Sequence, residues 1–229
     1  MPTVTLSDVS HRYPSTVTPS VRDVDLHVRA GEFFVLLGSS GSGKSTILRM
    51  IHGLETPATG TIEIDGRDVT RSLPSDRDVA IAFESYALYP HMSVAENMGF
   101  ALRLSGVPQE TITERVAEAA ARLGLSDALD SRPDQLDGLQ RQKVALARAL
   151  VRGPHVLVMD EPLATLPAET HVEVRDQIRV LQRQLGITTI YATESCADAV
   201  AVADRIAEVR DGTVTRVLDR DDFAALDAA

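Results

Sequence analysis

The sequence predicts an α/β fold, and three observations carry that prediction. Four short apolar runs have the length of strands that are buried on both faces of a parallel sheet. Patterns typical of helices separate several of these runs. Elsewhere, three segments alternate apolar and polar residues, as half-buried strands do. The apolar runs are residues 33–37, 79–83, 156–159 and 187–192, and the alternating segments are residues 3–8, 23–29 and 61–65.

Turn and helix signals order the remaining elements. Asp65-Gly66 is a dipeptide typical of a tight turn between short strands. Pro108 favours the start of a helix, because its missing N–H would be unpaired there in any case. The apolar face of that helix would consist of Ile112, Val116, Ala119, Ala120 and Leu123.

A second helical pattern runs from about Leu139 to Arg152, and Gly153-Pro154 ends it. Residues 92–152 contain several such patterns and no clear strand, so they predict a helical insertion within a sheet domain. The sequence DDFAALDAA at the end of the chain also has a helical pattern.

The composition is that of a water-soluble globular protein. The chain has 229 residues, of which 44% are hydrophobic and 24% charged, enough for one sizeable core. Its net charge of −10 argues against a surface that binds a nucleic acid duplex, so no nucleic acid partner is expected. No apolar run has the roughly 18 residues that a membrane span needs. The first residues lack the layout of a signal peptide, and the single cysteine allows no disulfide within the chain.

The segment GSSGSGKST fits the phosphate-loop pattern G-x-x-x-x-G-K-[ST], and it lies between a predicted strand and a predicted helix. Glycines let the backbone N–H groups converge on phosphate oxygens, and the helix that follows adds its positive end. Lys44, one of only two lysines in the chain, would reach the β and γ phosphates, and the Ser45 hydroxyl would bind Mg²⁺. The predicted nucleotide-binding residues are Gly38, Ser39, Ser40, Gly41, Ser42, Gly43, Lys44, Ser45 and Thr46.

An acidic pair follows another predicted strand, in the sequence VLVMDEP at residues 156–162. Asp160 would hold Mg²⁺ through water, and Glu161 would act as a general base toward the attacking water. An apolar run that ends in Asp-Glu is common by itself. Together with the phosphate loop, it predicts a site that binds a nucleoside triphosphate with Mg²⁺.

With these two motifs in this order, the chain resembles the ATP-binding subunit of an ABC transporter, and among those the sugar-importer type. Two further segments carry the resemblance, SYALYPHMSVAENMGFALRL at 85–104 and RQKVALARAL at 141–150. HRYPS at 11–15 resembles the loop that stacks on adenine in that family, which makes Tyr13 the candidate.

The resemblance implies a P-loop NTPase core with a mostly parallel sheet, an N-terminal antiparallel β subdomain and an inserted α-helical subdomain. It places the core and β subdomain at about 1–91 and 153–229, and the helical subdomain at 92–152. The implied cofactors are ATP and Mg²⁺. The implied partners are a second ABC ATP-binding subunit, in a homo- or heterodimer, and a multi-span membrane permease that docks near Tyr86 to Met92. Such a subunit is peripheral, on the cytoplasmic side of the plasma membrane.

The sequence departs from the family at four loops that surround the γ phosphate. Glu84 stands at the glutamine position, Glu194 stands at the histidine position, and Thr165-Leu166-Pro167 lacks the aspartate of S-A-L-D. An ionised Glu only accepts hydrogen bonds, whereas glutamine and histidine donate them. Where the family signature loop reads LSGGQ, this chain has Leu136, Asp137, Gly138, Leu139 and Gln140.

These substitutions leave three hypotheses open. Carboxylates near the γ phosphate would repel it, which predicts weak or absent hydrolysis. Alternatively, Glu84 could bind Mg²⁺ directly and a neutral Glu194 could donate a proton, which would preserve a working importer ATPase. A soluble ABC protein that does not act in transport is the third hypothesis. The transported solute cannot be read from this chain.

Overall fold

The computed structural model describes residues 1–82, 88–164 and 166–227. The chain forms two compact units, of which the first comprises residues 1–81, 155–161 and 175–229. The second unit comprises residues 82–154 and 162–174. The boundaries of the helical subdomain expected from the sequence, at 92 and 152, stay a prediction.

The first unit contains both sheets of the chain. In chain order the strands are β1 Val4–His11, β2 Val21–Val28, β3 Phe33–Leu37, β4 Thr59–Ile64, β5 Arg67–Asp68, β6 Val79–Ala82, β7 Val156–Asp160, β8 Thr188–Thr193, β9 Arg205–Arg210 and β10 Thr213–Asp219. The helices of the chain are α1 Lys44–His52, α2 Val94–Leu104, α3 Gln109–Leu123, α4 Gly138–Leu150, α5 Ala168–Leu185, α6 Cys196–Val202 and α7 Arg220–Asp227.

One sheet is antiparallel and has the strand order β2-β1-β4-β5. It corresponds to the antiparallel β subdomain that the family resemblance implies. Alternate residues of β2 are buried toward the core, among them Val24, Leu26 and Val28. The turn between β4 and β5 contains Asp65 with φ 54° and Gly66 with φ 74°. Positive φ at both central residues is the type I′ geometry that an Asp-Gly hairpin favours, so the predicted turn is confirmed.

The second sheet has the order β10-β9-β3-β8-β7-β6. Strand β3 pairs in parallel with β8 and β9, and β7 pairs in parallel with β8. All four apolar runs form strands of this sheet, which confirms the predicted α/β fold. Strands β9 and β10 pair antiparallel, so the sheet is mixed, and the sequence analysis did not identify them. Strand β8 begins and ends one residue later than predicted, and β6 ends at Ala82, beyond which residues 83–87 lie outside the described part.

The second unit contains α2, α3 and α4, which pack on one another. Pro108 precedes α3, and of the five predicted apolar positions Ile112, Val116, Ala120 and Leu123 are buried, whereas Ala119 is half-buried. Helix α4 begins one residue before and ends two residues before the predicted bounds, Leu139 and Arg152. Among the described residues, no helix combines the length and the apolar character that crossing a membrane requires.

Candidate nucleotide-binding site

Three predicted motifs meet at one edge of the mixed sheet. Strand β8 lies between β3 and β7, with Leu37 opposite Thr193 and Asp160 opposite Ala192. The carboxyl ends of these parallel strands therefore lie side by side. The phosphate loop follows β3, the acidic pair ends β7, and Glu194 follows β8, so their side chains share one small region of the first unit.

Close backbone approaches require glycine at two positions of the phosphate loop. A Cβ at Gly38 would lie 2.3 Å from the Val209 carbonyl oxygen, and one at Gly43 would lie 2.7 Å from that of Ser20. Gly43 also has φ 109°, which L-residues rarely adopt. Helix α1 begins at the next residue with no side-chain cap. Its first N–H groups are thus left for an external acceptor.

Lys44 is buried and its charge is held by the loop itself. Its Nζ donates to the carbonyl oxygens of Gly38 at 2.6 Å and Ser39 at 3.0 Å. The same nitrogen lies 3.5 Å from Oε1 of Glu161. A buried ammonium needs such partners to remain charged. The phosphate loop and the acidic pair are thereby joined through one cation.

The predicted metal-binding residues are adjacent. Ser45 Oγ donates to Asp160 Oδ1 at 2.9 Å. Among the described residues there is no cluster of three or more His, Cys, Asp or Glu that could hold a metal ion. That is compatible with Mg²⁺, which is commonly held by one or two carboxylates together with phosphates and water. One hydroxyl and one carboxylate at this place fit that requirement.

Glu161 combines strain, burial and two nearby charges. Its φ is 46°, an uncommon value for a residue with a side chain, and its N–H donates to the Ala192 carbonyl at 3.1 Å. Burial raises the pKa of Glu161, whereas the Lys44 charge and the N–H of Glu194 lower it. The carboxylate of Glu194 raises the pKa further. Sequence patterns gave no sign of the strained backbone.

Glu194 is exposed and lies in the turn between β8 and α6. The N–H of Ser195 donates to Thr193 Oγ1 at 3.0 Å, and the Ser195 hydroxyl caps α6 by accepting from Asp198 N at 3.1 Å. The main chain of Glu194 faces Glu161, because the N–H of Glu194 donates a hydrogen bond to the Glu161 carboxylate. The structure therefore brings Glu194 to the acidic pair, and its role at the histidine position stays a prediction.

The altered signature loop belongs to the second unit, where Asp137 is the N-cap of α4. The Asp137 carboxylate accepts from Gln140 N at 2.7 Å, and the Gln140 side chain accepts from Asp137 N at 3.1 Å. This reciprocal pair is a capping box. Leu139 is half-buried, and a Cβ on Gly138 would meet no atom within 4 Å. The carboxylate predicted to face a γ phosphate thus has a local structural role.

Some predicted residues lie outside the described part of the chain, namely Glu84 with its neighbours Phe83 and Ser85, Tyr86, and Thr165. Tyr13 is described and half-buried in the loop between β1 and β2. The backbone and hydroxyl of Thr16 both donate to the Tyr13 carbonyl oxygen, at 3.1 Å and 3.0 Å.

A cleft of about 580 Å³ adjoins the phosphate loop, a size typical of small-molecule sites. The hydroxyl of Ser42, which lines this cleft, is buried and has no hydrogen-bond partner among the described residues. An unused hydroxyl donor and the uncapped N–H groups of α1 fit a bound polyphosphate, whose oxygens accept hydrogen bonds. The cleft is lined by Thr16, Thr18, Pro19, Ser20, Arg22, Gly41, Ser42, Gly43, Lys44, Ser45, Thr46, Asp211 and Gly212.

Sequence reasoning missed one wall of the cleft, the turn at Asp211-Gly212. The N–H of Gly212 donates to the Ser42 carbonyl at 2.9 Å, and its own carbonyl accepts from Arg22 N at 2.7 Å. The Asp-Gly dipeptide could have predicted the turn, since it favours a hairpin. No short sequence pattern could have predicted that this turn contacts the phosphate loop, which lies 170 residues earlier in the chain.

Known proteins resemble this chain along nearly its whole length. The diacetylchitobiose uptake system ATP-binding protein MsiK of Streptomyces coelicolor is 50% identical over 217 residues, which are 95% of this chain and 57% of that protein. The trehalose/maltose import ATP-binding protein MalK of Thermococcus litoralis is 48% identical over 86% of this chain and 55% of that protein. The chain thus spans just over half the length of these curated relatives.

Solved structures agree in fold. The ATP-binding cassette MJ0796, in a dimeric post-hydrolysis state bound to ADP and Pi, has a TM-score of 0.80 and 29% identity, covering 95% of this chain and 98% of that one. CbiO1 from Clostridium perfringens is part of the ABC transporter complex cbiONQ. It has a TM-score of 0.89 and 26% identity, and the match covers 97% of this chain and 90% of that one. A sequence profile described as ABC transporter matches residues 21–164, more than half of the chain. The chain therefore belongs to the ABC transporter family, and within it to the ATP-binding domains.

Proposed function

We propose that this chain is the ATP-binding subunit of an importer of sugar or a related solute, and that it binds ATP but hydrolyses it slowly. The relatives named above, an uptake-system and an import ATP-binding protein, support the importer class. The meeting of the phosphate loop, Ser45, Asp160 and Glu161 at one sheet edge carries the ATP-binding part.

In this proposal the triphosphate lies along Gly38–Thr46, with its charge toward Lys44 and the first turn of α1. Ser45 and Asp160 hold Mg²⁺, which when bound neutralises part of the phosphate charge. Tyr13 supports the adenine from the neighbouring loop. Glu161 orients the attacking water and accepts its proton.

The subunit would pair with a second ABC ATP-binding subunit, identical or different, and with a multi-span permease. The dimeric state of the MJ0796 cassette supports pairing. The permease would dock on the segment that leads into α2. Asn97, which is fully buried, holds this segment: it accepts from Tyr89 N at 2.8 Å and donates to three carbonyl oxygens of residues 89–93. In this proposal the subunit is peripheral, on the cytoplasmic side of the plasma membrane.

Slow hydrolysis is expected from the substituted carboxylates, not from the acidic pair that serves catalysis. Glu194 adds a carboxylate beside Asp160 and Glu161 at the edge where the γ phosphate would be, and Lys44 is the cation that the phosphate loop supplies. At about 4–5 Å, one further carboxylate repels a phosphate oxygen by a few kcal/mol at an effective dielectric of ~20. Loss of one oriented donor at a reacting centre typically costs about 10²–10³ in rate.

A second candidate is a working importer ATPase, because Lys44, Ser45, Asp160 and Glu161 lie together at the same site. The pKa of Glu161, raised chiefly by burial, is compatible with a general base in either candidate. In that case the substituted loops would serve the roles of the residues they replace. A turnover measurement on the unmodified subunit, alone and with its permease, separates the two candidates.

Binding is tested with a fluorescent ATP analogue in the presence of Mg²⁺. Lys44→Ala removes the buried cation and is expected to abolish detectable binding, whereas Lys143→Ala on α4 removes the other lysine and should bind normally. Unchanged affinity in Lys44→Ala would refute the proposed site. Turnover of the unmodified protein is expected to be well below ~1 s⁻¹, the low end of ordinary enzymes.

Docking is tested by disulfide cross-linking to a candidate permease. A cysteine at Leu88 in a Cys196→Ser background should cross-link to a cytoplasmic loop of the permease. A cysteine at Leu104, exposed at the end of α2, is the control and should not. A complex that assembles without the Leu88 cross-link would place the permease elsewhere.

A further inference from the structure

His11 lies at the neck of the loop that carries Tyr13. Strands β1 and β2 pair at His11 opposite Val21, and the His11 carbonyl accepts from Ser20 N at 2.9 Å. The loop of residues 12–20 is closed by this bond. The His11 side chain is 9% exposed, so it points into the protein rather than to solvent.

The two ring nitrogens connect this loop to the end of α1. Nδ1 lies 2.9 Å from the Thr56 carbonyl oxygen, which only accepts, so Nδ1 carries a proton. Nε2 is buried, lies 3.7 Å from Glu55 Oε2, and has no hydrogen-bond partner among the described residues. Glu55 in turn is fixed to the end of α1, because its N–H donates to the Arg49 carbonyl at 3.3 Å.

The His11 ring also meets the Tyr13 ring. Their centroids are 4.7 Å apart and their planes are at 83°, the edge-to-face arrangement that aromatic pairs prefer. A ring held in this way loses part of its rotational freedom before any ligand arrives. A side chain that is already oriented binds more tightly, because less freedom is lost on binding.

We propose that His11 is a positioning residue for recognition of the nucleotide base. It holds the Tyr13 ring in the orientation that stacks on the adenine, and it is itself fixed by Thr56 and Glu55. Helix α1 begins at the phosphate loop and ends at His52, shortly before Glu55 and Thr56, and the N–H of Glu55 bonds back to Arg49 in the helix. This helix therefore sets the spacing between the base contact and the phosphate contacts. This inference rests on the proposed function, in which Tyr13 supports the base.

The test separates the base from the phosphates by measuring affinity for Mg²⁺-ATP and for Mg²⁺-tripolyphosphate, the latter by competition against the fluorescent nucleotide. His11→Ala is expected to weaken ATP binding about threefold to tenfold, the range of a lost aromatic contact. Tripolyphosphate affinity should remain within twofold. His27→Ala, an exposed histidine that pairs with Thr5 at 3.0 Å, is the matched control and should change neither affinity.

Two conservative variants and a double-mutant cycle assign the effect. His11→Phe keeps a ring but loses the bond to Thr56, and it should retain more ATP affinity than His11→Gln, which lacks the ring. In a Tyr13→Ala background, His11→Ala should have no further effect on ATP binding. The inference is overturned if Tyr13→Ala leaves ATP affinity unchanged, if the two losses simply add, or if tripolyphosphate affinity falls in parallel with that of ATP. If the unmodified protein binds neither compound, the proposed function itself has failed.

Discussion

Helices α1 and α4 both follow family motifs, but their first turns differ. Helix α1 is preceded by Gly43, has no side-chain cap and has no acidic residue in its first turn. Helix α4 is preceded by Asp137, whose carboxylate accepts from Gln140 N at 2.7 Å. One N-terminus is left for an external anion, and the other is satisfied by an anion of the chain itself.

We infer from this difference that nucleotide binding and turnover depend on different helix N-termini. An uncapped helix start attracts phosphate through its free N–H groups and its dipole. A capping carboxylate uses one of those N–H groups and offsets part of the dipole. The family resemblance implies that the signature loop of one subunit meets the γ phosphate bound by the other, so a carboxylate there would oppose closure of the dimer. We therefore expect strong binding at α1 and weak catalytic support from α4.

The largest expected effect comes from restoring the family residues together. The combined variant Glu84→Gln, Asp137→Ser, Leu139→Gly and Glu194→His should raise ATP turnover by about 10²–10³, because hydrogen-bond donors replace carboxylates around the γ phosphate. Single reversions should do little, because the remaining carboxylates still repel the phosphate.

Steady-state phosphate release measures this gain, with the same four changes in a Lys44→Ala background as the control that should remain inactive. Two results would contradict the proposal. One is turnover of the unmodified protein at ~1 s⁻¹ or faster, and the other is no gain in the combined variant.

The second prediction concerns the cap of α4 alone. Asp137→Ala removes the acceptor for Gln140 N and should lower the free energy of unfolding by about 0.5–2 kcal/mol. Asp137→Asn keeps an acceptor oxygen without the charge, and its stability should remain within about 0.5 kcal/mol of the unmodified protein. Urea denaturation followed by circular dichroism measures both variants. A similar loss in the Asn variant would show that the charge, and not the hydrogen bond, stabilises this helix.

Features with a local cause were predictable from the sequence. The phosphate loop, the Asp65-Gly66 turn and the helix after Pro108 each depend on residues that are neighbours in the chain. The strained backbone of Glu161 was not predictable, because β8 holds it through a bond from Glu161 N to the Ala192 carbonyl. The contact of His11 with Thr56 likewise joins residues 45 positions apart, for which no short pattern exists.

The role of Asp137 was only half predictable. Its carboxylate stands at the family signature position, as the sequence analysis stated. The reciprocal cap with Gln140 follows a D-x-x-Q spacing that resembles a capping box, which is a second and local signal at the same residues. A residue at a functional position can thus also stabilise its helix, and mutation tests both roles at once.

The smallest expected effect is a change of stability with pH at Glu161. Its pKa in the folded protein is raised above the ordinary value of 4.5, chiefly by burial, so the folded state binds the proton more tightly than the unfolded state. The ionised carboxylate therefore costs stability, and that cost develops as the pH rises through 4.5 and the raised folded-state pKa.

Glu161→Gln removes the charge and should raise the melting temperature relative to the unmodified protein at pH 7, with a smaller difference at pH 4. Glu110→Gln, an exposed carboxylate at the start of α3, is the control and should shift the melting temperature less at pH 7. Thermal unfolding of the three proteins at both pH values measures this, and an equal or larger gain at pH 4 would show that the ionised Glu161 carries no such cost.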